Sequence, residues 1–390
     1  MKFLVVALII VSSLKAFAQP TIAQLKKNND EYIKVLADLR ERNKNHRRMP
    51  AIRFFLFGMG DRLKMIYKNG TLLNAVTGDT IGKWKVQHEV IYPSEYAVSI
   101  TTPDNYRVLI YENEDGVFIR EGKRVSALSR SRLSLPRFAG KKWAPVLRVL
   151  HHEVLINVID GKPVPNFFVY TKPWYRDAAL MGMVLKETRN LGVIRDWIMN
   201  IRDPFDRNNH GISEADNPGE VLFLISLVSD STHPVVRTGM DSSMMFIKKS
   251  NGKTYLEGQT DYALHPVYQT KWMKYGLKAL GMKDSFDIPI VYDNYSSLFW
   301  WDYKSSHVAG KQFDEQESKN YPYLVWAEDH FFGEKKGFVS DQTYPLTWEA
   351  FASDAHYPGM KMVDEQLVTD KMSIPHTWHA AEMFLLLVDE

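Results

Sequence analysis

The chain carries two incompatible hydrophobic periods, and the change from one to the other constrains its fold most. Between about 52 and 138 the apolar residues fall in short, β-branched, partly alternating runs: "GKWKVQHEVIY", "EYAVSITT", "YRVLIYEN" and "GVFIREGKRV". The turn signals "KNG", "TGD", "TPDN" and "NEDG" separate them. A period of two puts alternate side chains on one face of a strand, and Gly, Asn and Asp supply the backbone of tight turns. From Trp143 onward the spacing changes to three and four, as in Leu180, Met183, Val184, Leu191, Ile194, Trp197, Ile198 and Ile201. "GEVLFLISLVS" is apolar nearly all round, which predicts a buried helix. "HPVYQTKWMKYGLKALG" puts Tyr268, Trp272 and Tyr275 on one helical face and ends at Gly281. Ahead of both regions, Ile22, Leu25, Tyr32, Ile33, Leu36 and Leu39 predict a single helix.

The expected class is therefore α+β, mainly α. An N-terminal helix over 19–50 leads to an antiparallel β-unit over 51–140, then to a helical domain over 141–390. Residues 1–18 read as a cleavable signal peptide: Lys2, an apolar core from Phe3 to Val11, and Ala16-Phe17-Ala18 before the cut. The expectation is an exported protein in the periplasm or outside the cell, with no stable membrane insertion. The chain has no cysteine, which excludes disulfide staples, thiol chemistry and thiolate metal sites. A formal net charge of +3 over 390 residues implies no field for nucleic acid. Ten Trp and 19 Tyr fit either a large core or a sugar cleft, because aromatic faces stack on the C–H faces of pyranose rings.

"FVYTKPWYRDAAL" places Trp174, Tyr175, Arg176 and Asp177 at the entry of a helix. It reads as a packing corner or as the rim of a site gripping a polar ligand. "PWYRDAAL" is similar to the W-x-R-D motif of inverting glycosidases. "PHTWHAAEMFLLL", with His376 and Trp378, resembles the closing helix of the same toroids. From Trp143 onward the chain thus resembles the six-hairpin glycosidases, whose fold is an (α/α)6 toroid, some with an N-terminal β-domain. That resemblance implies a carbohydrate substrate and gives Arg176 and Asp177 a substrate-binding role.

Glycosidic cleavage needs two carboxyl groups, one to give a proton and one to activate water or attack. "HGISEADNPGEVLFLIS" offers Glu214, Asp216 and Glu220 just before the buried helix. Capping accounts for Asp216 to Glu220, with Pro218 in the first turn, and leaves Glu214 unexplained. Glu214 and Asp216 are the catalytic candidates, and Glu349 in "PLTWEAFASDAHY" is the opposing carboxylate, unless it only complements a helix dipole. Asp261 is expected to hold sugar hydroxyls and Tyr268 to stack. Trp300 and Asp302 suit a ligand wall or a core corner, and Asp329 with His330 reads as a satisfied structural pair or as an acid that orients an imidazole for proton transfer. His376, His379 and Glu382 share a helical face but lack the zinc H-E-x-x-H pattern, so no metal is expected. "HHE" at 151–153 reads as structural. "FGMGDR" has too few glycines for a nucleotide loop, and no Gly-x-Ser-x-Gly elbow occurs. No cofactor is expected. The reading is a glycoside hydrolase, with a polysaccharide lyase on a related toroid or a non-catalytic glycan binder as alternatives.

Overall fold

The computed structural model describes residues 20–291, 293, 295, 315–332 and 336–390. The signal-peptide segment 1–18, Trp300 and Asp302 lie outside the described residues, as does the side chain of His330.

Helix α1 spans Ile22–Asn43. The Thr21 hydroxyl accepts from the Gln24 amide at 3.2 Å to start it, and Lys44 in the left-handed region ends it. Strand β1 (Asn45–Arg47) then pairs in parallel with Phe338–Ser340, almost 300 residues later.

The β-unit comprises two antiparallel meanders. The first holds β2 (Phe55–Phe57), β3 (Met65–Lys68), β4 (Thr71–Asn74) and β5 (Thr80–Lys83). The second holds β6 (His88–Tyr92), β7 (Ala97–Thr101), β8 (Arg107–Asn113), β9 (Gly116–Glu121) and β10 (Arg124–Arg130). The "KNG" signal becomes the β3–β4 hairpin, with Asn69 and Gly70 both at positive φ as a type I′ turn demands. Alternation in β8 works on both faces. Val108 and Ile110 enter the main core, while Leu109 and Tyr111 pack with Leu25 of α1. The "FGMGDR" loop is an internal clamp. The amides of Gly58 and Met59, at 2.9 and 2.8 Å, donate to Glu112, which also pairs with buried Arg62.

Among the described residues the remaining α-helices are α2 (Ala144–Ile156), α3 (Tyr175–Glu187), α4 (Arg195–Met199), α5 (Asn217–Ser226), α6 (Pro234–Ser243), α7 (Pro266–Ala279), α8 (Glu315–Asn320), α9 (Pro322–Phe332), α10 (Glu365–Thr369) and α11 (Thr377–Val388). They form an arc in which α9 packs on α11, α11 on α3, α3 on α5, and α5 on α7. The α5–α7 crossing depends on glycine. A Cβ at Gly219 would sit 2.4 Å from the Met273 amide nitrogen, and one at Gly276 would sit 2.6 Å from the Gly219 carbonyl. One apolar core runs through both halves, from Phe55 and Ile110 to Val154 and Phe384.

The helical half also holds short antiparallel ladders that its period did not announce. They are Val158–Ile159 with Lys162–Pro163, Ile247–Ser250 with Lys253–Leu256, Gln259–Thr260 with Ala263–Leu264, and Glu349–Ala350 with Met372–Ser373. Asn251-Gly252, both at positive φ, was the readable signal for one of them. Among the described residues, no helix is long and apolar enough to cross a membrane.

Candidate active site

The first turns of α3, α9 and α11 meet at a cavity of about 380 Å³. Trp174, Arg176 and Asp177 reach it from α3, Tyr323 from α9, and His376 and Trp378 from α11. Asp261, Glu317, Glu349 and Asp354 extend its acidic lining. Helix N-termini carry partial positive charge, so their convergence favours carboxylates at the site.

One wall is organised by Arg176, which is 2% exposed. Its Nη1 donates to Asp216 at 2.9 Å and to Glu214 at 3.3 Å, and its Nη2 donates to Asp261 at 2.5 Å. The second oxygen of each acid is also occupied. Asn209 donates to Glu214 at 3.0 Å, Thr260 to Asp216 at 3.0 Å and Tyr295 to Asp261 at 2.6 Å. Burial works against the guanidinium charge, but Asp261, Glu214 and Asp216 outweigh it and raise its pKa further. Burial also raises the Asp216 carboxyl, which Arg176 partly offsets. Asp216 occupies the N-cap position of α5, yet its side chain caps no amide; Arg176 and Thr260 take both oxygens.

The other wall is organised by His376. Its Nε2 lies 3.0 Å from a Glu349 oxygen and 4.0 Å from an Asp177 oxygen. Glu349 lies in a two-residue strand, away from any helix start, and accepts from the hydroxyls of Tyr170 and Tyr323. Burial alone would raise the Glu349 pKa, but the His376 imidazolium and the donated hydrogen bonds hold it below its ordinary value. Burial would lower the His376 pKa, and Glu349 and Asp177 instead raise it. Asp177 has no such compensation. Burial dominates, with His376 opposing and Glu349 adding to it, and the carboxyl is pushed up to about 7. Asp177 Oδ1, His376 Nδ1 and Trp378 Nε1 are buried without a hydrogen bond among the described residues. Buried polar groups are nearly always hydrogen-bonded, so each of these three atoms has room for a partner, whether water or ligand.

The structure thus brings Trp174, Arg176, Asp177, Asp261, Glu349, His376 and Trp378 to one cavity. Glu214 and Asp216 stand fully buried behind Arg176, and Glu349 faces Asp177 and His376 instead. Tyr175 is directed elsewhere. Its hydroxyl donates to the Asp203 carbonyl at 2.9 Å, and its amide is capped by Asp206 at 2.8 Å. Tyr268 is buried with its hydroxyl 3.4 Å from Glu220. Asp329 accepts the amides of Lys336 and Gly337, at 3.0 and 2.7 Å, and so fastens a turn. His379 accepts the Trp348 amide at 3.1 Å. Among the described residues no group of acids and histidines could hold a metal ion. Sequence reasoning missed Tyr170, Tyr295 and Tyr323, although Tyr170 lies within the stretch that drew attention to Arg176 and Asp177.

The aromatic walls are layered: Trp378 stacks on Tyr323 at 4.5 Å, Tyr323 stacks on His376 at 5.8 Å, and Arg176 lies 5.5 Å from the centre of the Trp174 ring. Comparison of this chain with protein-family models, with curated proteins and with solved structures finds no match.

Proposed function

We propose that the chain is an exported glycoside hydrolase, with Asp177 as the general acid and Glu349 as the base or nucleophile. One observation carries this reading. Two buried carboxyls bracket one imidazole at a single cavity, and their surroundings drive their proton affinities apart. Environments that separate two carboxyls in this way assign one as acid and the other as base. Asp177 thereby takes the catalytic place that the sequence reading gave to Glu214 and Asp216. Arg176 braces the wall, and Asp261 and Trp174 bind the sugar.

The toroid reading draws support from the arc of α9, α11, α3, α5 and α7 and from the helix starts gathered at the cavity. His376 also bounds the geometry. With one carboxylate oxygen 4.0 Å away and the other 3.0 Å away, the two oxygens are at most about 7 Å apart, the sum of those distances. Retaining enzymes hold their carboxyls roughly 5–5.5 Å apart and inverting enzymes roughly 6.5–9.5 Å apart, so this bound is compatible with both.

The test is digestion of a panel of neutral, amine-bearing and uronic-acid glycans. Hydrolysed products whose anomer is read by NMR support the proposal. Products absorbing in the near ultraviolet from a new double bond make the protein a lyase, and binding without turnover makes it a glycan receptor.

A further inference from the structure

The Glu349–His376 pair is built from two loops far apart in sequence, and a single carboxyl reaches both. Glu153 lies in the last turn of α2 and is fully buried. Its Oε1 accepts from the Leu346 amide at 2.7 Å, and its Oε2 accepts from the Thr347 hydroxyl. The same Thr347 oxygen accepts from the His376 amide at 3.1 Å. Thr347 is two residues ahead of Glu349. The continuous path therefore runs from Glu153 through one hydroxyl to the His376 amide, and the residue that carries this hydroxyl lies two positions from Glu349. One turn on, Asn157 donates to the Pro375 carbonyl at 3.3 Å, beside His376. The Leu346 and Trp348 amides donate to buried side chains, Glu153 and His379, so the loop's conformation depends on these groups.

We propose that Glu153 is a positioning residue which, through Thr347, sets the approach of His376 to Glu349. The proposal rests on the hydrolase reading for its consequence in turnover, but its geometry can be tested without turnover. A gap set by rigid neighbours is sensitive to displacements of an ångström or less. Glu153→Gln still accepts from Leu346 but offers the Thr347 hydroxyl a donor. Thr347→Val removes the hydroxyl at nearly constant volume, and Thr347→Ser keeps it.

The experiment follows the His376 imidazole by NMR titration in full-length protein, with thermal stability measured in parallel. His376 in the wild type and in Thr347→Ser should titrate at the same raised midpoint. Thr347→Val and Glu153→Gln should lower it by about one pH unit as Glu349 withdraws. On a glycan the wild type hydrolyses, the same two variants should lose about tenfold in kcat with little change in KM, and Thr347→Ser should recover it. An unchanged His376 midpoint in folded Thr347→Val overturns the proposal, whatever happens to stability. If the wild type cleaves no glycan while the midpoint shifts as expected, the positioning role stands and the hydrolase reading falls.

Discussion

The two walls of the cavity use the same ingredients, buried carboxylates around a cation, and reach opposite conditions. Around Arg176 the cation is permanent, and both oxygens of Glu214, Asp216 and Asp261 accept hydrogen bonds. Around His376 the cation can lose its proton, and Asp177 and His376 each keep a buried atom without a partner. In the first wall every carboxylate oxygen of the three acids accepts a hydrogen bond, and only the Arg176 Nε is left without a partner among the described residues. The second holds groups whose charges depend on one another. The difference underlies the proposed roles: the paired carboxylates around Arg176 support the site, and the carboxyls around His376 are the ones proposed to react.

The largest expected effect would break the Arg176 wall. Arg176→Ala leaves three acids around an uncompensated void and should destabilise the fold by about 3–5 kcal/mol, measured by urea unfolding at pH 7. The deficit should shrink at acid pH as Asp216 and Asp261, whose carboxyls burial raises, take up protons. A variant as stable as the wild type would mean that Arg176 braces nothing.

Next comes the His376 wall. Glu349→Gln should retain the fold and lower kcat by about a thousandfold or more, whereas Asp177→Asn should lower it by roughly a hundredfold on a substrate with a poor leaving group. Glu214→Gln should act mainly on stability. Equal kinetic damage from Glu214→Gln and Glu349→Gln would erase the contrast between the walls.

The pH profile sharpens it further. In the proposed roles Glu349 acts ionised, so kcat/KM should fall on the acid side through a pKa below the ordinary 4.5. Asp177 acts protonated, so it should fall on the alkaline side through about 7, the limb that Asp177→Asn removes. The same shift has a stability sign. A carboxyl raised from 3.8 to about 7 contributes its stability fully below 3.8 and loses it as pH rises through 7. Asp177→Asn should therefore be more stable than the wild type at pH 8 and show no such advantage at pH 3.5, by thermal melts. The smallest effect belongs to Tyr295→Phe, which deletes one hydrogen bond to Asp261 and should weaken ligand binding about threefold.

The elements were readable where local physics decides. Asn69-Gly70 imposes a hairpin, and the apolar run of α5 makes a buried helix. The stretch from Phe168 to Asp177 announced half of the site because its residues enter the cavity within a few positions of one another. The partnership of Asp177 with Glu349 and His376 was hidden, since it depends on how α3 and α11 pack and on a ladder of two residues a side. Glu214 misled for a related reason. A carboxylate ahead of a buried helix looks alike in sequence whether it faces a cavity or the back of an arginine, and it is the packing of α3 on α5 that brings Arg176 to Glu214. Glu153 was legible as structural, but the loops that it holds lie 193 residues and more downstream.

The pairing of β1 with Phe338–Ser340 bears on when this molecule is complete. Arg40 donates to the Ser340 carbonyl at 2.9 Å, and Arg42 forms a two-pronged contact with Glu390. During synthesis the first strand therefore has no partner until nearly all of the chain has emerged, and contacts of such long range form slowly. The segment that β1 grips leads directly into the loop bearing Glu349. A chain interrupted before residue 340 would hold Asp177 but not its counterpart, and its unpaired first strand would be open to chaperones and to other chains. Both Glu349 and His376 follow, in the chain, the segment that closes that edge.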